Sequence, residues 1–316
     1  MARLARYSWV VLIYNLAVIA WGAYVRATGS GAGCGAHWPL CNGEVVVRME
    51  TVERMIEFSH RATSGLALIS VVVLFFWARR VSSPGAPVRL GAGLSLGFML
   101  SEAALGAGLV VFGLVADDAS PARAFVVAAH LLNTFLLLAA LTLSVYWASG
   151  GQPLRLSSRA GSGRLLLGAL AILVVSVAGA ITALGDTLFP SGTLTEGLQA
   201  DLDATSHFLI RLRTIHPILA VMMSLYLLTS VWQLAKGSPR ARLLARTLTW
   251  LLVAQLVAGA VNVLLLAPVW LQLVHLLLAD GVWVAYVFLG AETLAVEGTE
   301  LPFAVVPGFS PASKSA

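Results

Sequence analysis

The sequence predicts an all-α integral membrane protein in which eight transmembrane helices form two pseudo-symmetric four-helix bundles. Three observations lead there. The 316 residues are 59% hydrophobic and only 11% charged, whereas roughly a quarter of the residues of a soluble domain carry charge. Eight apolar runs, each near the ~20 residues a helical span requires, alternate with charged or Gly/Pro-rich breaks. Small and polar residues also recur at matching places in the two halves of the chain.

The runs follow in order. Ser8 to Arg26 is preceded by Arg3 and Arg6. Basic residues before an apolar stretch also mark signal peptides, but this stretch is long, lacks a small-residue cleavage site and supplies one copy of the repeat, so it is read as the first span. His60 to Ala78, Leu90 to Val115 and Ala122 to Trp147 complete a first half over residues 1–150. Leu165 to Leu184, Phe208 to Leu234, Leu244 to Ala267 and Val269 to Ala291 make a second half over 151–295. The last two runs nearly touch; together they are too long for one span, and Pro268 divides them. Residues 296–316, rich in Gly, Ser and Pro, read as a disordered cytoplasmic tail.

Charge sets the expected orientation. Arg79, Arg80 and Arg89 follow the second span, Arg155, Arg159 and Arg164 the fourth, and Lys236, Arg240, Arg242 and Arg246 the sixth. By the positive-inside rule these segments and both termini face the cytoplasm. The acidic connections, with Glu44, Glu50, Asp117, Asp118, Asp186 and Asp201 among their residues, face outward. The net charge of +5 thus marks topology and implies no nucleic-acid partner. No transit-peptide pattern is read at the start, which points to a prokaryotic cytoplasmic membrane and lipid surroundings.

The repeat places the histidines. Trp21-Gly22-Ala23 in the first span matches Ala178-Gly179-Ala180 in the fifth, and Glu102 with Gly106 in the third matches Gln255 with Gly259 in the seventh. The two halves then share one orientation, related by an axis along the membrane normal. Of the six histidines, His60, His130, His216 and His275 fall on the even-numbered spans at the outer level, two per half; His37 and His207 belong to outer loops. A single intramembrane histidine often only bonds a neighbouring helix. Two pairs at matched depth instead suit haem irons held inside a bundle. Zinc fits less well, because no carboxylate or thiol joins either pair at helical spacing except Glu57 beside His60.

At these residues the chain resembles the haem A synthases. Arg26-Ala27-Thr28-Gly29-Ser30-Gly31, then Cys34, Trp38-Pro39-Leu40-Cys41, and Glu57-Phe58-Ser59-His60-Arg61 follow that family's signature order. The resemblance implies an enzyme, a membrane haem-dependent oxidoreductase, that oxidises the methyl group at ring position 8 of haem O to a formyl group, giving haem A for terminal oxidases. It implies that His60 and His130 flank the iron of the substrate haem O in the N-terminal half. It likewise implies that His216 and His275 ligate a haem b in the C-terminal half, that Cys34 and Cys41 are the family's paired loop cysteines, and that haem O synthase and an unidentified electron donor are partners. The chain departs from the usual Cys-Pro-Asp-Trp-Pro-Leu-Cys by placing Gly35, Ala36 and His37 before Trp38.

The residues add an asymmetry of their own. Glu57 shares a helix face with His60, whereas Arg213 occupies the matching place before His216. A carboxylate beside an oxidising site can move protons, so Glu57, His60 and His130 are the expected catalytic set; an ion pair of Glu57 with Arg61 is the structural alternative. Cys34 and Cys41 read either as a disulfide that fixes the loop or as a thiol relay. Arg26, Arg61, Arg211 and Arg213 lie near the outer interface, as partners for propionates or lipid headgroups. Asp280 is read as a bundle hydrogen-bonding group, neither Glu102 nor Asp280 is assigned to catalysis, and Pro217 is expected to perturb its helix. A di-haem cytochrome that only carries electrons from quinol is the alternative function.

Overall fold

A computed structural model of the chain describes residues 1–44, 47–48, 50–154, 160–236 and 238–295; Arg155, Arg159 and the 296–316 tail lie outside the described residues. Eight spans are present. They comprise α1 (Ala2–Ala27), α2 (Val52–Val81), α3 (Pro87–Val111), α4 (Pro121–Ala148), α5 (Ala160–Leu188), the pair α7 (Phe208–Leu212) and α8 (Ile215–Leu234), α9 (Pro239–Leu264) and α10 (Val269–Leu294), with a short α6 (Leu194–Leu202) in an outer connection.

Three departures from the sequence pattern have local causes. Helix α2 starts eight residues before the apolar run, because Thr51 caps it, accepting from the Arg54 N–H at 3.2 Å, with Glu53 in the first turn. Those polar residues hide the helix start from hydropathy, yet they make Glu57 and His60 part of one continuous helix. The sixth span is broken at Arg213–Thr214, because Pro217 has no N–H for the Arg213 carbonyl four residues back and its ring crowds that carbonyl. In the new first turn of α8 the missing donor costs nothing. Helix α6, capped by Thr193, was not expected; nine residues with Leu194, Leu198 and Leu202 as the apolar stripe are too few to show a period. The predicted division at Pro268 holds: Leu266 and Ala267 take positive φ (58° and 52°), and Pro268 caps α10.

Packing follows the same order in both halves. In the first, α1 meets α2, α2 meets α3, α3 meets α4 and α4 returns to α1; in the second, α5, α8, α9 and α10 close an equivalent ring. The halves meet through α1, α4, α5 and α10. At that seam Trp283 Nε1 donates to the Phe135 carbonyl at 2.6 Å, with the two rings 5.6 Å apart, and Trp9 stacks on Phe288 at 5.7 Å. Tyr286 donates to the Leu165 carbonyl at 2.8 Å. Lipid is as apolar as a protein core, so association here rests on packing and such hydrogen bonds.

Candidate functional site

One cavity of about 1220 Å³ is lined by His60, His130, His216 and His275 together. It exceeds the roughly 300–1,000 Å³ of a site for one small ligand, and both halves contribute walls. The four histidines lie six to nine residues inside the N-terminal ends of their spans, roughly 9–14 Å deep at 1.5 Å per residue. The repeat therefore brings them to a common level.

Each imidazole rests on a glycine of a facing helix. A methyl group added at Gly22 would lie 2.9 Å from His60 Cε1, one at Gly179 2.9 Å from His216 Cε1, one at Gly259 3.1 Å from His275 Cε1, and one at Gly106 3.8 Å from His130 Cε1. The four glycines of the sequence repeat are thus the floor on which the rings lie. His216 Nδ1 donates to the Val175 carbonyl at 3.2 Å, which leaves Nε2 free to ligate. The His216 and His275 rings are 6.3 Å apart and mutually perpendicular.

These residues fit haem. Two imidazoles bound to one metal at ~2.0–2.1 Å, with ring nitrogens ~1.1 Å from their centroids, place those centroids about 6.3 Å apart, the spacing found for His216 and His275. Among the described residues the Nδ1 atoms of His60 and His275 are buried without a hydrogen bond, and that of His130 faces Glu102. Among the described residues no group of three or more His, Cys, Asp or Glu could hold a bare metal ion. Paired imidazoles across an apolar space suit a macrocycle that brings its own donors.

The loop above the N-terminal pair is fastened from below. Cys34 and Cys41 form a disulfide. Glu57, only 3% exposed, accepts from the Cys34 N–H at 2.7 Å and pairs with Arg61. Arg61 also donates to the carbonyls of His37 (2.6 Å) and Leu40 (2.7 Å). Glu57 still borders the cavity, so the ion pair foreseen as its structural alternative exists while the carboxylate remains at the site wall. His207 caps α7 and lies between Phe189 and Phe208.

Three of the four outer arginines border the cavity, and Arg211 does not. Arg26 reaches from α1 to Ala183 and Thr187 of α5 and Gln272 of α10, joining the halves. Arg213 pairs with Asp201 at 2.8 Å and Asp186 at 3.2 Å, tying α6 to the start of α8. Two readings need correction. Glu102, left outside the site by sequence, lies 3.3 Å from His130 Nδ1; the parallel of Glu102–Gly106 with Gln255–Gly259 was the available signal. Asp280 is fully buried, and among the described residues its carboxyl oxygens have no hydrogen-bond partner.

Fold and site together define a multi-pass membrane protein whose two helical halves each present two histidines to a shared cavity. The chain belongs to the COX15-CtaA family of cytochrome oxidase assembly proteins, whose profile matches residues 5–287. It is 54% identical over 264 residues to a protein of Thermus thermophilus named protoheme IX farnesyltransferase, covering 83% of this chain and 43% of that one. It is also 43% identical over 124 residues to the heme A synthase of Halalkalibacterium halodurans, covering 39% of this chain and 41% of that one. A third relative, the heme A synthase of Exiguobacterium sibiricum, is 34% identical over 175 residues, 55% of this chain and 57% of the relative. The chain thus spans less than half the length of the first two relatives.

Proposed function

We propose that this protein is a haem A synthase of a prokaryotic cytoplasmic membrane, with both termini in the cytoplasm, that converts the position-8 methyl group of haem O to a formyl group. The observation that carries the reading is the His216–His275 spacing of 6.3 Å in a cavity that His60 and His130 also line. In this reading the two rings of helices are pseudo-symmetric copies with different tasks. The C-terminal half holds a resident haem b through His216 and His275, and the N-terminal half receives haem O between His60 and His130. Bound haem b supplies one-electron redox chemistry.

The protein's own groups supply the rest. The glycine floors fix the rings at ligating height. Methyl-to-formyl oxidation, with water counted as the oxygen source, releases four electrons and four protons; the electrons pass to dioxygen, which is reduced to water, and the protons move through acceptors beside the macrocycle. Glu57 is a carboxylate at that wall, with Arg61 as its counter-charge and the Cys34 N–H holding its second oxygen. The disulfide loop closes the site from the outside. The name of the Thermus relative, a farnesyl transfer onto protohaem, supports a haem O synthase as the source of substrate.

The test is chromatography of extracted tetrapyrroles after the purified protein is incubated with haem O, a reductant and oxygen. Wild type forms haem A, and Glu57→Ala leaves haem O unconverted while retaining haem b. Haem A from Glu57→Ala at the wild-type rate overturns the role of Glu57. A wild-type protein whose haems cycle redox state without forming haem A is the di-haem cytochrome.

A further inference from the structure

Glu102 sits in mid-span, where a carboxylate is costly and marks function. Its surroundings are built for it. Thr134 donates to one carboxyl oxygen and Asn133 to the other. Asn133 is itself held by the Phe98 carbonyl at 2.9 Å and by the Ser101 hydroxyl at 2.6 Å. Asn133 and Thr134 are three and four residues after His130, so the α4 turn that carries the histidine also carries the clamp.

The C-terminal half lacks every part of this arrangement. The positions matching Ser101, Glu102, Asn133 and Thr134 are Ala254, Gln255, Leu278 and Ala279. Gln255 places its amide nitrogen 3.2 Å from His275 Nε2, and among the described residues its own oxygen has no partner. One half therefore sets a clamped carboxylate against its histidine, and the other a loosely held neutral amide.

We propose that Glu102 is a positioning residue: through its 3.3 Å contact with His130 Nδ1 it orients the ring, leaves Nε2 as the ligating nitrogen and makes the N-terminal iron the more electron-rich of the two. A carboxylate behind a metal-bound imidazole raises the basicity of that ligand, and outer partners of this kind are typically worth about 10–100-fold in affinity or activity. The proposal rests on His60 and His130 holding a haem, as inferred above. It adds why the two sites differ.

The test is a potentiometric titration of the purified protein reconstituted with iron protoporphyrin IX, in wild type, His60→Ala, Glu102→Gln and Thr134→Val. Two one-electron components are expected, and the one absent from His60→Ala belongs to the N-terminal site. Glu102→Gln, which copies the C-terminal arrangement, shifts that component's ferric–ferrous equilibrium about tenfold toward ferrous, 59 mV for one electron, and leaves the other component unmoved. The unmoved component also reports an intact fold. Should Glu102→Gln fail to fold, Thr134→Val, which removes one clamping donor and keeps the carboxylate, shifts the same component by less. An unchanged N-terminal potential in folded Glu102→Gln, or in Thr134→Val where that variant has to stand in for it, overturns the proposal and spares the haem assignment. A His60→Ala protein that keeps both components overturns both.

Discussion

Gly179→Ala separates what holds the helices together from what holds a haem. The added methyl would lie 2.9 Å from His216 Cε1, 3.3 Å from Nδ1 and 3.5 Å from Nε2. Carbon atoms rest comfortably at about 3.5–4.0 Å, so the imidazole must retreat by roughly 0.6 Å or more. Local overpacking costs about 1–3 kcal/mol, and replacing a mid-helix glycine returns about 1 kcal/mol of helix propensity. The net change in stability is therefore small, about 0–2 kcal/mol. Metal-ligand distances tolerate only about 0.2 Å, and the same displacement stretches the bond from Nδ1 to the Val175 carbonyl. Haem affinity of the C-terminal site should fall about 10–100-fold while the protein stays folded. The assay is the haem-to-protein ratio and the reduced-minus-oxidised spectrum of purified protein, with thermal unfolding alongside. Gly106→Ala, whose methyl would meet His130 at an ordinary 3.8 Å, is the matched control and should load normally. Full loading with an unaltered spectrum in Gly179→Ala would refute the reasoning.

Two other outcomes follow from the geometry. Replacing Cys34 and Cys41 with serine opens an eight-residue ring and removes about 2.5 kcal/mol of loop constraint; amide exchange in the loop should accelerate while the haem spectrum is kept, and unchanged exchange contradicts the structural reading of the disulfide. Arg26→Ala leaves the Ala183 carbonyl, Thr187 and Gln272 without their donor at the seam, and at about 1.5–3 kcal/mol for a hydrogen bond to a charged group it should lower the melting temperature in detergent more than Arg26→Lys does; equal melting of the two variants would show that the fork is not what joins the halves.

Much of this arrangement was legible in the sequence because a membrane imposes its own length scale. Spans end where charge begins, which found eight helices; Pro268 divided the last two for the same steric reason that Pro217 breaks the sixth. The four histidines were legible because each half carries two of them on its even-numbered spans at a matched level. The side that each helix turns inward was not. Spans that are apolar on every face give no period to read, so the Phe135–Trp283 seam was invisible. The place of Glu102 was not legible because its contact runs between helices to His130, far away along the chain, where local spacing carries no information. Asp280 was expected to find a partner and has none among the described residues; its counterpart by position in the first half is Phe135.

The most direct test of the account is the number and ligation of haems held by the purified, reconstituted chain, read by haem-to-protein ratio and electron paramagnetic resonance across single alanine variants of His60, His130, His216 and His275. The account predicts two histidine-ligated haems in the wild type, loss of one and the same signal in His216→Ala and His275→Ala, and loss of the other in His60→Ala and His130→Ala. Both signals surviving in His216→Ala or in His275→Ala, or one and the same signal lost on replacing a histidine of either half, would contradict it.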